Sequence, residues 1–125
     1  MRIVGVGVDV VEIDRVERLL RERSSFRTRV FTDEERRYCD GKASPAGYYA
    51  ARWAAREAAR KALGGVRGLR WRDISVRRAR TGAPHLALSG PARTRADQVG
   101  VTDVLVSFSH ERSVATAFCV AVGPE

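Results

Sequence analysis

An alanine-rich stretch with regularly spaced arginines runs from Tyr49 to Gly64 and predicts a long helix. Ser44 and Pro45 before it suit the cap and the first turn of a helix, and the two glycines that follow Leu63 suit a helix end. A helix over Pro45–Leu63 would be roughly 28 Å long at about 1.5 Å per residue. Because alanine side chains are small, neighbouring backbone can approach such a helix closely, and the rest of the chain has to pack around it.

The charged residues of this helix recur at helical spacing. Arg52, Arg56 and Arg60 repeat every fourth residue and form a cationic row, while Glu57 and Lys61 share another face. A charge row is typical of a solvated surface, and a Glu–Lys pair at this spacing is typically an ordinary ion pair worth about 0.2–0.5 kcal/mol. The helix alone therefore leaves open whether these charges serve solubility or a site.

The charge balance predicts an anionic partner. The 125 residues include 23 lysines and arginines against 15 aspartates and glutamates, which gives a net charge of +8. Only Lys42 and Lys61 are lysines, and arginine suits planar contacts with phosphate or carboxylate groups. Nucleic acid, a phosphorylated cosubstrate, an acidic protein and an anionic membrane are the partner classes that this charge fits.

Cysteine usage and hydropathy predict a reduced, soluble, cytoplasmic protein. Cys39 and Cys119 lie far apart without metal-knuckle spacing, so we expect two buried free thiols. The apolar start, Met1–Val11, is short, is interrupted by Asp9 and lacks a signal-peptide cleavage site. No run approaches the about 18 apolar residues of a membrane span.

The segment Ile3–Val10 mixes valine with glycine and predicts a strand. Gly5, Gly7 and Asp9 would share one face with Ile3, and because glycine weakens a strand interior we expect another element to approach that face closely. Asp9 would stand on the same face, although it could equally be a turn or cap residue that opens the next helix. The valines expected on the opposite face are Val4, Val6 and Val8.

The remaining pattern predicts an α+β fold in a single domain, 1–125, with a mostly antiparallel sheet and the long central helix packed on it. A capping box of Thr32 with Glu35 marks one helix start. Phe26–Phe31 reads as a short basic and apolar piece. The other predicted helices span Val11–Arg23, Thr32–Cys39 and Gly90–Val99. Two hairpins are also predicted. One joins Trp71–Val76 to His85–Leu88 through Thr81–Pro84, and the other joins Asp103–Ser109 to Val114–Val122 through Glu111–Arg112.

Few side chains are placed to carry chemistry. Mg²⁺ is usually bound by two carboxylates that leave its other coordination positions for water and phosphate oxygens. Asp9 and Glu57 could supply these two carboxylates. Lys61, one turn beyond Glu57, could neutralise a phosphate. His110 ends a strand and could meet a phosphate as the imidazolium, although a lone histidine is also often structural. A hydrolase triad is poorly supported, because Ser109 would point to the opposite face from His110 and no G-x-S-x-G motif exists.

Four motifs occur in order along the chain: Gly5–Ile13, Arg52–Gly64, Asp73–Val76 followed by Gly82–Pro84, and Val106–His110. In order, spacing and total length they resemble the holo-[acyl-carrier-protein] synthases, the small type of the 4′-phosphopantetheinyl transferase family. The resemblance covers nearly the whole chain and implies that family's fold.

The resemblance also implies a reaction. Phosphopantetheine moves from coenzyme A to a serine hydroxyl of an apo acyl carrier protein, and adenosine 3′,5′-bisphosphate is released. Asp9 and Glu57 are implied to hold Mg²⁺ against the pyrophosphate, and Glu57, directly or through a metal-bound water, to take the serine proton. Lys61 is implied to stabilise charge on the phosphates. The small members of the family form trimers with sites between subunits, so the resemblance implies a homotrimer for this chain. The carrier could belong to fatty-acid, polyketide or peptide synthesis.

Further residues carry over by the same resemblance. The chain departs from the family pattern at three places: Arg56 stands where the family usually has lysine, Ala59 where it has an aromatic residue, and Gly64–Val66 where it has Gly-Thr-Gly. None of these departures removes an implied metal ligand. The implied coenzyme A contacts are Arg52, Lys61, Gly82, Pro84 and His110, and the implied carrier-protein face comprises Arg15, Phe26 and Arg29.

Two other functions fit parts of the sequence. A small basic nucleic-acid-binding domain would explain the charge, but the arginines are spread along the chain and no known recognition module is present. A non-catalytic carrier-binding subunit is the other alternative. We therefore expect a transferase that uses coenzyme A and a carrier protein, with neither nucleic acid nor membrane as a partner.

Overall fold

The computed structural model describes residues 1–125 and confirms the predicted α+β class, with antiparallel strands and a long central helix. The helices are α1 (Ile13–Glu22), α2 (Phe26–Val30), α3 (Asp33–Asp40), α4 (Pro45–Ala62) and α5 (Gly90–Gln98), and the strands are β1 (Arg2–Glu12), β2 (Ile74–Arg78), β3 (Pro84–Leu88), β4 (Asp103–Glu111) and β5 (Val114–Gly123).

The strands form two antiparallel sheets. The larger sheet has the order β1-β5-β4, so the first strand pairs with the last, and β2 pairs with β3 in a separate two-stranded sheet. Both predicted hairpins are present. The pairing of the two chain ends could not be read from local patterns, because it joins residues as far apart as Arg2 and Gly123.

Helix α4 lies at the centre of the core and packs on the larger sheet. Its alanines from Ala50 to Ala62 are almost fully buried, and the expected close approach to the glycine face of β1 is confirmed. A Cβ atom built on Gly7 would lie 1.9 Å from the Ala58 carbonyl oxygen, and one on Gly5 would lie 2.1 Å from the Ala62 carbonyl oxygen. Only glycine at these positions lets the strand backbone contact the helix backbone.

The predicted faces of β1 are correct except at its start. A register shift between Ile3 and Gly5 moves Val4 out of the valine face, and Val4 instead packs against the core. Val6, Val8 and Val10 lie on the side away from α4 and are more than half exposed. Together with Leu105 and Phe118, which the register places in the same rows, they form an apolar surface that we call the open sheet face.

Several predicted boundaries move for local reasons. The helix expected from Val11 begins at Ile13, because β1 continues to Glu12 by pairing with β5. The strand expected from Trp71 begins at Ile74, since the Asp73 carboxylate accepts the Arg70 backbone N–H at 2.9 Å and holds the preceding residues in a turn. The Phe26–Phe31 piece contains the short helix α2, and the β4–β5 turn is made by Arg112 and Ser113.

Other local expectations are confirmed. Thr32 and Glu35 form the predicted capping box at the start of α3. Cys39 and Cys119 are free and buried, and burial raises the pKa of each thiol to about 12. No helix is both long enough and apolar enough to cross a membrane.

Candidate active site

Lys61 connects the end of α4 to β1. Its Nζ donates to Asp9 Oδ1 at 3.3 Å and to the Val8 backbone oxygen at 3.0 Å. The close contact at Gly7, two residues before Asp9, brings the strand near enough to the helix for this ion pair. Asp9 is therefore a strand residue that faces α4, and the cap position of α1 belongs to Glu12. The alternative that Asp9 caps the next helix is wrong.

Glu57 lies one turn before Lys61 on α4, but the two side chains do not pair. Glu57 Oε2 accepts from Arg56 Nη1, and Oε1 accepts from Arg60 Nε at 3.3 Å. Lys61 instead turns toward β1. The ordinary i,i+4 ion pair that the sequence allowed is therefore absent. We use the name carboxylate–lysine cluster for the Asp9–Lys61 pair together with Glu57, which lies one turn before Lys61 on α4.

The arginine row of α4 is not a solvated face. Arg52 and Arg56 are only 3% and 8% exposed, and burial lowers the pKa of Arg56. Arg60 is more exposed and pairs with Glu57. The solubility interpretation is therefore wrong for the first two members of the row.

The carboxylate–lysine cluster has a donor set that fits Mg²⁺. Asp9 and Glu57 offer hard oxygen ligands, and no third histidine, cysteine, aspartate or glutamate joins them in a closed metal cage. Mg²⁺ typically keeps several waters and takes one or two carboxylates together with substrate phosphates. Each carboxylate is partly exposed, with 18% of the Asp9 side chain and 21% of the Glu57 side chain accessible. The residues present are therefore compatible with such an ion.

Arg52 belongs to a second group of residues on another side of α4. Its guanidinium carbon lies 4.5 Å from the centre of the Tyr38 ring and 5.3 Å from that of Phe108, and its Nη1 donates to the Tyr48 backbone oxygen. Its Nε is buried and has no hydrogen-bond partner within the chain. Lys42 and Arg78 lie over the same Tyr38 ring at 4.5 and 4.4 Å. Three cations therefore surround one tyrosine.

His110 lies beside this group. Its ring packs edge-on against Tyr48 at 4.6 Å between centroids. A Cβ atom on Gly47 would lie 2.4 Å from His110 Cδ2, so glycine at the start of α4 makes room for the imidazole. We call these residues the basic–aromatic cluster: Tyr38, Lys42, Tyr48, Arg52, Arg78 and His110.

Gly82 and Pro84 lie at the tip of the β2–β3 hairpin. Gly82 has a φ of 87°, a conformation that favours glycine. Pro84 pairs with Arg78 across the hairpin, and Arg78 lies on Tyr38. The hairpin tip is thereby connected to the basic–aromatic cluster and not to Asp9 or Glu57.

The two clusters lie on opposite sides of α4. Arg52 and Lys61 are nine residues apart in the helix, which at about 100° per residue places them roughly 180° apart around its axis. Glu57 is within about 40° of Lys61 on the same reasoning. The predicted site residues of one chain are therefore divided between two surfaces.

The predicted carrier face is on α1 and α2. Arg15 and Arg29 are exposed, and Phe26 is half-buried against Phe31 and Trp53, with ring centroids 5.8 and 5.9 Å away. Trp53 is in turn 5.4 Å from Trp71. This face therefore adjoins a row of aromatic rings that starts at Phe26 and ends at the exposed Trp71.

Glu35 has a role that sequence reasoning missed. It is 4% exposed, and its Oε2 accepts the Val76 backbone N–H at 2.9 Å while Oε1 accepts the Thr32 N–H at 3.0 Å. Burial raises the pKa of this carboxyl, although these hydrogen bonds oppose the shift. The capping box revealed the bond to Thr32, but nothing local indicated the bond to Val76, which lies 41 residues away.

The fold and both clusters can now be compared with known proteins. Residues 5–119 match the family model described as the 4′-phosphopantetheinyl transferase superfamily. The chain belongs to this superfamily. The matched span contains every residue of the two clusters and of the predicted carrier face.

Individual relatives of this superfamily member agree over nearly full length. Holo-[acyl-carrier-protein] synthase of Anaeromyxobacter dehalogenans (strain 2CP-C) is 46% identical over 125 residues, 97% of either chain. The crystal structure of holo-ACP-synthase from Plasmodium yoelii has a TM-score of 0.85 at 28% identity and covers 99% of this chain and 98% of that one. The synthase from Bacillus anthracis str. Ames, in complex with CoA (3′,5′-ADP), has a TM-score of 0.78 at 32% identity over 98% of both chains.

Proposed function

We propose that this superfamily member is a holo-[acyl-carrier-protein] synthase that acts through residues 1–125 as one unit. The serine oxygen of an apo acyl carrier protein forms a bond to the phosphorus that carries pantetheine in coenzyme A. The bond from that phosphorus to the bridging pyrophosphate oxygen breaks, and adenosine 3′,5′-bisphosphate leaves with that oxygen. The serine proton passes to a base.

The observation that carries this proposal is the carboxylate–lysine cluster. Phosphoryl transfer depends mainly on positioning and on electrostatic stabilisation of phosphate oxygens. Lys61 projects from α4 beside Asp9, with Glu57 one turn away, so a cation donor and two carboxylates lie on the same helix–strand edge. A solvated surface helix would not require Lys61 to reach across to β1.

Each residue of the cluster has a proposed role. Asp9 and Glu57 would hold Mg²⁺, which when bound supplies positive charge to the pyrophosphate oxygens. Lys61, 47% exposed, would donate to an oxygen of the transferred or leaving phosphate. The Glu57 carboxylate is the proposed acceptor of the serine proton, directly or through water.

The basic–aromatic cluster is the proposed site for the nucleotide end of coenzyme A. The unpartnered Nε of Arg52, together with Lys42 and Arg78 around Tyr38, offers several donors to phosphate oxygens. His110 lies beside them, and the Gly82–Pro84 tip is connected through Arg78. The departure from the family pattern at Gly64–Val66 lies outside this cluster.

We further propose a homotrimer with each site formed between two subunits. Because the two clusters lie on opposite sides of α4, we expect that one chain alone does not bring both to the same coenzyme A molecule. A neighbouring subunit would complete each site. The open sheet face supports this assembly, since five apolar residues that are 48–63% exposed form a patch of the kind that subunit contacts bury. Sedimentation equilibrium tests the assembly; a stable monomer that is fully active would overturn it.

The cellular setting follows from the proposed substrates. The net charge of +8 suits both anionic substrates, coenzyme A and an acidic carrier. We assign the reaction to the cytoplasm and expect it to serve fatty-acid biosynthesis. Polyketide and peptide-synthesis carriers are alternative acceptors that the assay below can compare.

One experiment separates the proposed function from its competitors. The protein is incubated with coenzyme A, Mg²⁺ and an apo carrier protein, and the carrier is weighed by mass spectrometry with and without a chelator. We expect a gain of one phosphopantetheine group that the chelator abolishes. No gain with any of the three carrier types, together with salt-sensitive binding of DNA or RNA, would establish the nucleic-acid alternative. Binding of carrier without any gain would establish the non-catalytic subunit.

A further inference from the structure

The Glu57 carboxylate is held by a buried arginine, Arg56, whose other side-chain hydrogen bond is to a residue outside α4. Arg56 has only 9% of its side chain exposed, although a guanidinium is costly to bury without partners. Its Nη1 pairs with Glu57 Oε2, and its Nε donates to the backbone oxygen of Trp71 at 3.0 Å. One planar group therefore connects the carboxylate to the chain segment before β2.

Two tryptophan rings lie next to this guanidinium. The Arg56 guanidinium carbon lies 4.8 Å from the centre of the Trp71 ring and 5.9 Å from that of Trp53. A guanidinium that stacks on aromatic faces still has donors at its edge, which explains how Arg56 can stack and bond at once. Rotation of the side chain would break the stacking and the bond to the Trp71 oxygen together.

The Trp71 backbone is fixed independently of Arg56. Asp73, 4% exposed, accepts the Arg70 N–H through its carboxylate at 2.9 Å. The Asp73 backbone oxygen also accepts the Ser89 N–H at 2.9 Å, which ties the turn to the start of α5. The oxygen that Arg56 binds is therefore part of a rigid turn.

Arg60 offers a comparison within the same helix. It binds the other Glu57 oxygen, with Nη2 at 3.2 Å, but 38% of its side chain is exposed and that side chain makes no hydrogen bond outside α4. The Arg60 side chain is thus free to change conformation in solvent, whereas the Arg56 side chain is bound to the Trp71 backbone.

We propose that Arg56 is a positioning residue that fixes the orientation of the Glu57 carboxylate by connecting it to the Trp71 backbone. The inference rests on the proposed function, because Glu57 is there assigned as a metal ligand. Residues that orient a ligand typically change metal affinity about 10–100-fold when they are replaced. Arg56 should therefore affect metal binding itself as well as turnover.

The test measures binding of Mn²⁺, as a stand-in for Mg²⁺, by electron paramagnetic resonance in the presence of coenzyme A and without carrier. We expect Arg56→Met to weaken binding about 10-fold or more, and the matched variant Arg60→Met to weaken it by less. Arg56→Lys restores the charge but not the stacking or the Nε bond to Trp71, so we expect intermediate affinity; it also serves if Arg56→Met does not fold.

Tryptophan fluorescence gives a second readout, because Trp53 and Trp71 are the only tryptophans and both contact Arg56. Emission should change in both Arg56 variants and remain as in the wild type in Arg60→Met. Folded Arg56 variants that bind Mn²⁺ like the wild type would overturn the positioning role while the wild type still loads the carrier. A wild type that neither binds Mn²⁺ nor loads the carrier would overturn this role and the proposed function together.

Discussion

Lys61 and Asp9 form an ion pair of 3.3 Å although 52 residues separate them in the sequence. The pair exists because Gly7 allows β1 to lie against the backbone of α4. It turns Lys61 toward Asp9 and away from Glu57, which lies one turn earlier on the helix and pairs with Arg56 and Arg60. The alanine and glycine pattern of the chain thus has a consequence for chemistry as well as for packing.

Replacing Lys61 with methionine tests the proposed role of its charge. The change keeps an unbranched apolar stem and removes the donor to the phosphate, so we expect kcat for transfer to fall about 10²–10³-fold. The KM for the carrier should change little, because Lys61 is not on the predicted carrier face. Steady-state kinetics measure both constants, and Arg93→Met, which removes an exposed α5 cation paired with Asp97, is the control. Equal losses in both variants would argue against a specific role.

Gly7→Ala tests the backbone contact between β1 and α4. The added methyl would lie 1.9 Å from the Ala58 carbonyl, so the strand must move, and we expect a loss of about 1–3 kcal/mol in the free energy of unfolding. Gly41→Ala is the matched control, since its methyl would be 3.4 Å from the nearest atom. Urea unfolding followed by circular dichroism measures both. A Gly7→Ala protein as stable as Gly41→Ala would contradict the packing described for this site.

The Asp40 carboxylate should contribute stability that depends on pH. Burial acts to raise its pKa. Two hydrogen bonds, one from Arg27 and one of 2.6 Å from the Tyr49 hydroxyl, outweigh burial and hold the pKa below its usual 3.8. A lowered pKa in the fold means that the unfolded chain binds the proton more tightly. The contribution is therefore present above about pH 4 and lost as the pH falls through the lowered value.

The comparison of wild type with Asp40→Asn measures that contribution. We expect the wild type to be more stable near neutral pH, and the difference in unfolding free energy to shrink as the solution is acidified below about pH 4. Asp97→Asn, on the surface of α5, controls for the loss of an exposed carboxylate. A difference that stays constant down to acidic pH would show that the ionised form of Asp40 is not what stabilises the fold.

Arg15→Glu tests the predicted carrier face. The exposed guanidinium lies on α1, away from the basic–aromatic cluster, so reversing its charge should raise the KM for an acidic carrier about 10-fold or more and leave coenzyme A binding unchanged. Carrier titrations at fixed coenzyme A, and calorimetry with coenzyme A alone, separate the two effects. Arg93→Glu makes the same charge change on α5. Equal effects on both ligands, or equal effects of both variants, would move the carrier face elsewhere.

Much of the fold could be predicted because its signals are local. The alanine-rich helix, the Thr32–Glu35 capping box and the two hairpins all depend on residues close in sequence. What could not be predicted depends on distant contacts. The pairing of β1 with β5 decides that the strand continues to Glu12, and the bulge after Ile3 decides which valines are exposed.

In the candidate site, too, some residues could be predicted from the sequence and others depend on distant contacts. Motif resemblance predicted Asp9, Glu57, Lys61, Arg52 and His110. The structure pairs Lys61 with Asp9, places Glu57 one turn before Lys61 on α4, and places Arg52 and His110 in the other cluster. The partners that shape them were not visible in the sequence. Tyr38 gathers three cations from separate elements, and Gly47 matters only because His110 folds against it.

The intact mass of an apo carrier protein, measured after incubation with coenzyme A and Mg²⁺, tests the central claim most directly. With the wild type, the account predicts a carrier heavier by one phosphopantetheine group. With Glu57→Gln, which keeps the size of the side chain and removes its charge, the account predicts a carrier that remains at its starting mass over the same interval. Loading by Glu57→Gln at the wild-type rate would contradict the assignment of Glu57, and an unchanged carrier with the wild type would contradict the function itself.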